Sequence, residues 1–310
     1  MLNLIVKRFL TTIPVLFGVI TITFLMVHSA PGGPFDADRV VSPEILLQLN
    51  ENYNLDAPLW EQYISYLKGV FHGDFGPSFR YPGRTVTELI SIGLPITFEL
   101  AIYSIIFAIF IGVSSGVVAS LRPNTRFDYI PMSVAMAGIC IPSIILGPSL
   151  SLIFGIWLGW LPVAGWGDLP GDKVLPVITL GTAYAAYCAR LTRGGMLEIL
   201  GQDYIRTARS KGLSEIRVVI FHALRGGLIP VIAFLGPAIA GLLAGSFVVE
   251  TIFGIPGLGR FYVQAAFNRD YTMILGTSIF FSILIVFFNL IADLVAATLN
   301  PKLRDGGSSE

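Results

Sequence analysis

Charged side chains are scarce in this sequence: Asp, Glu, Lys and Arg make up 13% of its 310 residues, about half of the fraction usual in soluble proteins. The 20 basic and 20 acidic side chains cancel, and this balance argues against a protein that binds nucleic acid. Cysteine is nearly absent, and the two that occur, Cys140 and Cys188, lie in apolar stretches. The sequence therefore excludes a disulfide framework and a cysteine metal cluster, and both residues are expected to act as small apolar side chains.

Catalytic motifs are also missing. The sequence contains neither the phosphate-binding pattern G-x-x-x-x-G-K-[ST] nor the zinc-binding pattern H-E-x-x-H. The segment Gly147 to Leu150 faintly resembles the serine turn of an intramembrane protease, but His28, His72 and His222 all lie outside the last two apolar spans, where a base would be needed. We therefore expect a chain that is not an enzyme and that holds no catalytic residue, cofactor or metal of its own.

Apolar residues dominate instead, at 54% of the chain with a mean hydropathy of +0.74, which indicates an integral membrane protein. Six stretches approach the roughly 20 apolar residues that cross a bilayer: 9–27, 95–121, 129–167, 174–189, 226–249 and 271–292. The third is too long for one span and contains four prolines, so we expect one helix with a kinked start that ends near Trp160. The fourth should continue past Arg190 and the sixth to Pro301. The predicted fold is an all-α integral membrane protein with six transmembrane helices.

The distribution of Lys and Arg predicts the orientation. With a cytoplasmic N-terminus, thirteen of these residues fall on the cytoplasmic side and seven on the other, which favours both termini in the cytosol. The first apolar run follows Lys7 and Arg8 and is longer than the apolar core of a secretory signal, so residues 1–30 are predicted to be a retained anchor helix.

Residues 31–94 form a predicted extracytoplasmic helical insertion, followed by a membrane core over 95–310 that contains helices two to six. Two groups of apolar residues have the spacing of amphipathic helices: Ile45, Leu46, Leu49 and Tyr53, and then Trp60, Tyr63, Ile64 and Leu67. Two interpretations stay open. The helices cover the outer membrane face, or they form a docking platform for an extracytoplasmic partner.

A polar hairpin, within residues 196–225, separates the fourth and fifth spans. Asp203 is predicted to cap a short helix over 204–211, Gly212 to end it in the left-handed conformation, and Ser214 to cap a second helix that runs into the next span. Such a knob, anchored at both ends to membrane helices, is suited to receive mechanical work from the cytosol.

On the other side, the segment from Glu250 to Gly259 combines Phe253, Gly254, Pro256 and Gly257. Its proline fixes one backbone angle and its glycines free their neighbours, which predicts a tight re-entrant turn rather than a continuing helix. We expect this turn, with Glu250 at its base, to line an extracytoplasmic gate. A plain surface turn is the alternative.

Four separated motifs carry a family resemblance. Residues 204–213 (YIRTARSKGL) resemble the cytoplasmic loop of ABC-importer permeases of the dipeptide and oligopeptide branch, and residues 250–259 with 268–271 resemble the loop before its last helix. Residues 72–79 (HGDFGPSF) and the opening with Lys7-Arg8 and Ala30-Pro31-Gly32 complete the pattern, which is closest to the B-type subunits of that branch.

The resemblance implies a type I ABC importer: a second, homologous permease subunit, two cytoplasmic ABC ATPase subunits that bind ATP and Mg²⁺, and an extracytoplasmic peptide-binding protein that delivers oligopeptides. In that scheme the hairpin is the coupling helix seated in an ATPase cleft. Its implied contact residues are Asp203, Tyr204, Arg206, Thr207, Ala208, Arg209, Lys211 and Gly212. Arg206 stands where the general permease consensus has Glu, and residues 222–225 (HALR) replace I-x-L-P, so Arg206 needs a different partner on the ATPase.

Other functions remain as alternatives: a dipeptide, nickel or glycoside importer of the same branch, a proton-coupled peptide carrier, or a membrane scaffold. The carrier is disfavoured because Glu99, Glu250 and Asp293 are expected at the ends of spans rather than at mid-membrane. Glycines in spans three to six are expected either to let helices approach and slide or to serve ordinary packing: Gly181, Gly194, Gly195, Gly226, Gly227, Gly236, Gly241 and Gly245.

Overall fold

The computed structural model describes residues 2–30 and 55–299, and these residues are mainly helical. In chain order the helices are α1 Leu2–Ser29, α2 Leu59–Phe71, α3 Val86–Leu121, α4 Arg126–Cys140, α5 Ser143–Leu150, α6 Val174–Leu200, α7 Asp203–Ser210, α8 Glu215–Val218, α9 Leu224–Gly227, α10 Ile229–Ile252, α11 Leu258–Asn268 and α12 Tyr271–Leu299. Two π-helical turns, Ser151–Trp157 and Val219–Ala223, extend α5 and join α8 to α9.

Within residues 2–30 and 55–299, five helices are long and apolar enough to cross a membrane alone: α1, α3, α6, α10 and α12. The third apolar stretch differs from the single helix predicted for it. It forms two helical segments, α4 and the continuous stretch of α5 and its π-helical turn (Ser143–Trp157), which meet at a bend of 108°. The cause is Pro142, which has no N–H to donate into α4 and forces Ile141 into an extended conformation with ψ 113°.

The pairing of α3 with α6 shows that this bent pair crosses the membrane. A Cβ atom added at Gly112 would lie 2.5 Å from the Ala185 carbonyl oxygen, and one at Gly116 would lie 2.5 Å from that of Ala189. Nearer the start of the two helices, Glu99 of α3 contacts Lys173, the residue that precedes α6. Residue numbers rise together along both helices, so α3 and α6 are parallel, and the bent pair must return the chain between them. The described residues therefore contain six spans, as predicted.

The alternating directions of the six spans place α7 on one side of the molecule, here called the hairpin side. The start of α1, the end of α3 and the end of α12 lie on the same side. On the far side, His28 near the end of α1 lies 5.1 Å from Tyr271 at the start of α12, measured between ring centroids. The predictions that the fourth span passes Arg190 and that the sixth continues past Ala292 are confirmed by α6 and α12.

The core lies where α3, α6 and α10 meet, around the fully buried Leu100, Leu175 and Leu242. Most of the predicted glycines serve close helix contacts there and nearer the hairpin, where a Cβ atom would collide. These are Gly181, Gly195, Gly226, Gly227, Gly236 and Gly241, whereas Gly194 and Gly245 have no neighbour within 4 Å of a Cβ position. The amphipathic helix predicted around Trp60 to Leu67 is α2. The one predicted around Ile45 to Tyr53, and the side chain of Asp293, lie outside the described residues.

Candidate functional site

The short helix α7 begins one residue away from the predicted cap. Gln202 occupies the N-cap position, so the prediction that Asp203 caps the helix is wrong. Asp203 is instead the first helical residue, where a carboxylate is favoured by the partial positive charge of the helix N-terminus. It lies 3.5 Å from the Arg206 guanidinium, in a pair so exposed that it adds little stability.

The underside of α7 is apolar and fixes the helix to the rest of the protein. Ile205 is fully buried and Ala208 nearly so. One turn apart on the helix, they pack with Met196 of α6 and with Val218 and Val219 beyond the turn. Truncating a buried isoleucine to alanine costs about 2–5 kcal/mol in soluble cores. Thus two residues anchor an otherwise polar helix.

The turn after α7 has the geometry that its glycine predicts. Gly212 has φ +77°, and its N–H donates to the Arg209 carbonyl at 2.9 Å. Across the turn, the Arg209 guanidinium donates two hydrogen bonds to Glu215, at 2.8 and 3.2 Å. Ser214 occupies the N-cap position of α8, although its side chain makes no capping hydrogen bond with the described residues. The hairpin is therefore closed by its backbone and by one forked ion pair.

The outward face of α7 carries most of the predicted contact residues. These are exposed, as are the two predicted residues just after the helix: Asp203, Tyr204, Arg206, Thr207 and Arg209 of α7, and then Lys211 and Gly212. Ala208 is the exception, because it points into the protein's own core. Three of the exposed side chains are basic and one is acidic, and Glu215 pairs with Arg209, so a small positive excess remains that suits an acidic partner surface.

The outer turn is built around Glu250, which is fully buried. One carboxylate oxygen accepts hydrogen bonds from the hydroxyls of Thr97 and Ser246, both at 2.8 Å, and the other accepts from the Arg260 backbone N–H at 2.9 Å. The Thr97 hydroxyl oxygen also accepts from the Leu258 N–H at 2.9 Å. Glu250 thus links α3 and α10 to the first turn of α11. It lies at the end of a span, as predicted, because α10 ends two residues later at Ile252, and the protein encloses its carboxylate.

The turn itself is packed rather than open. Phe253, Ile255 and Leu258 are fully buried, whereas Gly254 and Pro256 are exposed. Gly257 lies against the Glu250 carboxylate, and Gly259 lies where a Cβ atom would be 2.5 Å from the Cα of Phe247. The predicted break in the helix is confirmed, since α10 ends at Ile252 and α11 begins at Leu258.

Two ion pairs lie at opposite ends of α6. Lys173 donates to Glu99 at 2.6 Å, and this hydrogen bond raises the pKa of the Lys173 ammonium. Arg193 donates to both oxygens of the buried Asp128, at 2.6 and 2.8 Å. Twenty residues separate the two basic side chains, or about 30 Å of helix, which is the thickness of a bilayer's hydrocarbon core. The pairs therefore mark two levels that fit the membrane boundaries.

The Asp128–Arg193 pair did not emerge from the sequence. A usable signal existed, because a charged residue at the start of an apolar stretch needs a partner. The partner could not be identified from spacing, since 65 positions separate the two residues.

Comparison with known proteins assigns the family. Residues 104–305 match the family described as "Binding-protein-dependent transport system inner membrane component", and residues 1–101 match the N-terminal region of such membrane components. The chain belongs to this family of inner-membrane transport permeases.

Individual relatives are similar over nearly the whole chain. The oligopeptide transport system permease protein OppB of Haemophilus influenzae is 44% identical over 305 residues, covering 98% of this chain and 100% of the relative. The dipeptide transport system permease protein DppB of Bacillus subtilis is 41% identical, covering 96% and 97%. Among solved structures, the inward-facing MetNI methionine ABC transporter matches with a TM-score of 0.55 and 18% identity over 68% of this chain and 96% of that chain. The last likeness concerns the fold alone.

Proposed function

We propose that the chain is a transmembrane permease subunit of an ATP-driven importer of oligopeptides. The family and the near full-length similarity to an oligopeptide permease subunit support this function. The observation that carries the mechanism is α7, whose polar face is exposed while Ile205 and Ala208 hold its underside. Such a helix can bind a partner without losing its own support.

In this mechanism α7 is the coupling helix. Two cytoplasmic ATPase subunits bind ATP and Mg²⁺, and their closure pushes on the exposed surface formed by Arg206 of α7 and by Lys211 just after it. The push reaches α10 through α8, the π-helical turn Val219–Ala223 and α9. Since no enzymatic chemistry is expected of this chain, hydrolysis belongs to the partners.

The hairpin side is the cytosolic side in this proposal, with both termini there. The excess of Lys and Arg predicted for the cytosol supports it, and the start of α1 and the end of α12 share the hairpin side. A second homologous permease subunit completes the translocation path, and an extracytoplasmic peptide-binding protein docks on the far side, near the Glu250 turn. Nucleic acid has no role, and lipid surrounds the spans.

The turn from Glu250 to Gly259 is the proposed extracytoplasmic gate. Ile255 and Leu258 are buried, whereas Pro256 is exposed. Single cysteines that replace these three residues, in a background with Cys140 and Cys188 changed to Ala, should therefore differ in their labelling by a thiol reagent. We expect a membrane-impermeant thiol reagent to label position 256 at once and positions 255 and 258 only when ATP is trapped in the complex. Equal labelling of all three in both states would contradict the gate.

Reconstitution tests the function itself. The chain purified alone should hydrolyse ATP no faster than the background rate of the same chain mixed with catalytically inactive ATPase. The complete complex in proteoliposomes should show hydrolysis and uptake stimulated by a labelled tetrapeptide delivered by the binding protein. A dipeptide, nickel or a glycoside used in place of the tetrapeptide should stimulate hydrolysis only weakly. Stimulation by one of these and not by the tetrapeptide would change the substrate, and uptake driven by a pH gradient without ATPase would contradict the proposal.

A further inference from the structure

The helix α2 presents three different faces. The first contacts the protein: Gln62 donates to the carbonyls of Leu55 and Ala57 and contacts His28 of α1 at 3.2 Å. On the same side, the Tyr63 hydroxyl shares a hydrogen bond of 2.7 Å with the Thr21 hydroxyl of α1. These contacts fix both the position and the rotation of α2.

The second face is apolar and exposed. Trp60 is 63% exposed, Ile64 43% and Phe71 86%. Their spacings of four and seven residues put them on one side of the helix. The third face carries the exposed Glu61 and Lys68, which lie beside the apolar residues, about 70° further around the helix. A helix with one face toward protein, one apolar and one charged is suited to the edge of a bilayer, where all three environments meet.

The contact with α1 sets the depth of α2. The apolar span of α1 runs from Leu10 to Ser29, and its 20 residues match a hydrocarbon core of about 30 Å. Thr21 lies eight residues before the end of this span, or about 12 Å below it. Because the Tyr63 hydroxyl reaches that level, the backbone of α2 lies near the membrane boundary rather than above it in water.

We propose that α2 lies in the bilayer interface on the far side, with Trp60, Ile64 and Phe71 inserted among the lipids and with Glu61 and Lys68 toward the headgroups and water. Tryptophan is favoured at this level because its ring is amphipathic. The three residues of the apolar face are uncharged, and α2 is held against α1, whose Ile22, Leu25 and Met26 are themselves exposed apolar side chains. Lipid is therefore the occupant that the contacts favour.

Spin labels test this placement. Full-length chain, purified with its partners and with Cys140 and Cys188 replaced by Ala, receives one labelled cysteine at a time at Trp60, Ile64 or Phe71, or at Glu61 or Lys68 as controls on the same helix. In nanodiscs of phosphatidylethanolamine and phosphatidylglycerol, power saturation compares collisions with oxygen, which concentrates in lipid, and with a water-soluble nickel chelate. We expect oxygen to dominate at 60, 64 and 71 and the chelate to dominate at 61 and 68.

Two results would overturn the proposal. Chelate access at 60, 64 and 71 equal to that at 61 and 68 would place the apolar face in water. Low access to both reagents would show that protein covers it, either residues 31–54 of this chain or a partner, and loss of access on adding the binding protein would identify that partner.

Discussion

The hairpin around α7 and the turn around Glu250 are both breaks between membrane helices, but they are stabilised in opposite ways. In the hairpin, polar side chains point outward and two apolar residues hold the helix down. In the turn, apolar side chains fill the core and a buried carboxylate satisfies hydroxyl and backbone donors from three helices. The hairpin is thus available to a partner, whereas the turn joins parts of the chain itself. Substitutions should therefore act on different properties in the two regions.

Replacement of Glu250 should have the largest effect on stability. Glu250→Ala removes the acceptor of the buried Thr97 hydroxyl and of the Arg260 N–H and one of two acceptors of Ser246, a loss of about 2–5 kcal/mol. We expect the thermal unfolding midpoint in detergent to fall by several degrees. Glu215→Ala is the control, because its carboxylate is 64% exposed and should move the midpoint little. Equal midpoints for the two variants would contradict the proposed role of the buried carboxylate.

The contact of α3 with α6 should be next in size. Gly116→Ala places a Cβ atom 2.5 Å from the Ala189 carbonyl oxygen, and such overpacking costs about 1–3 kcal/mol. Gly194→Ala is the matched control within α6, because nothing lies within 4 Å of its Cβ position and alanine favours helix. We expect a lower midpoint for the first variant and an unchanged or higher one for the second. A higher midpoint for Gly116→Ala would show that these helices do not touch as described.

Gly212 should affect coupling more than stability. Gly212→Val forces a β-branched residue to φ +77°, which costs about 1–2 kcal/mol and strains the end of α7. Peptide uptake should fall while the assembled complex still hydrolyses ATP. Gly201→Val, at φ −83° in the same hairpin, should keep uptake near the wild-type rate. Wild-type uptake by Gly212→Val with ATPases bound would place the functional bend elsewhere.

The two regions also differ in how far the sequence predicts them. The left-handed turn at Gly212 in the hairpin follows from local rules, because the residues that determine it are neighbours in the chain. The same is true of the apolar side of α2, outside both regions. The environment of Glu250 does not, because Thr97 lies 153 positions away. Its partner Ser246 lies four positions earlier, one helical turn, and is the only signal that spacing offered. The four prolines between 129 and 167 predicted a kinked start of one helix, but spacing could not choose Pro142 as the site of the 108° bend.

The direct test of the central claim is a crosslink from the exposed face of α7. A photo-reactive amino acid placed at Arg206 in the assembled complex should form an adduct with the ATPase subunit. Placed at Lys68 in α2, on the far side, it should form none. Adducts from position 206 to the ATPase and none from position 68 are the predicted result. Failure of position 206 to crosslink in an active complex, or equal adducts from both positions, would contradict the assignment of α7 as the coupling helix.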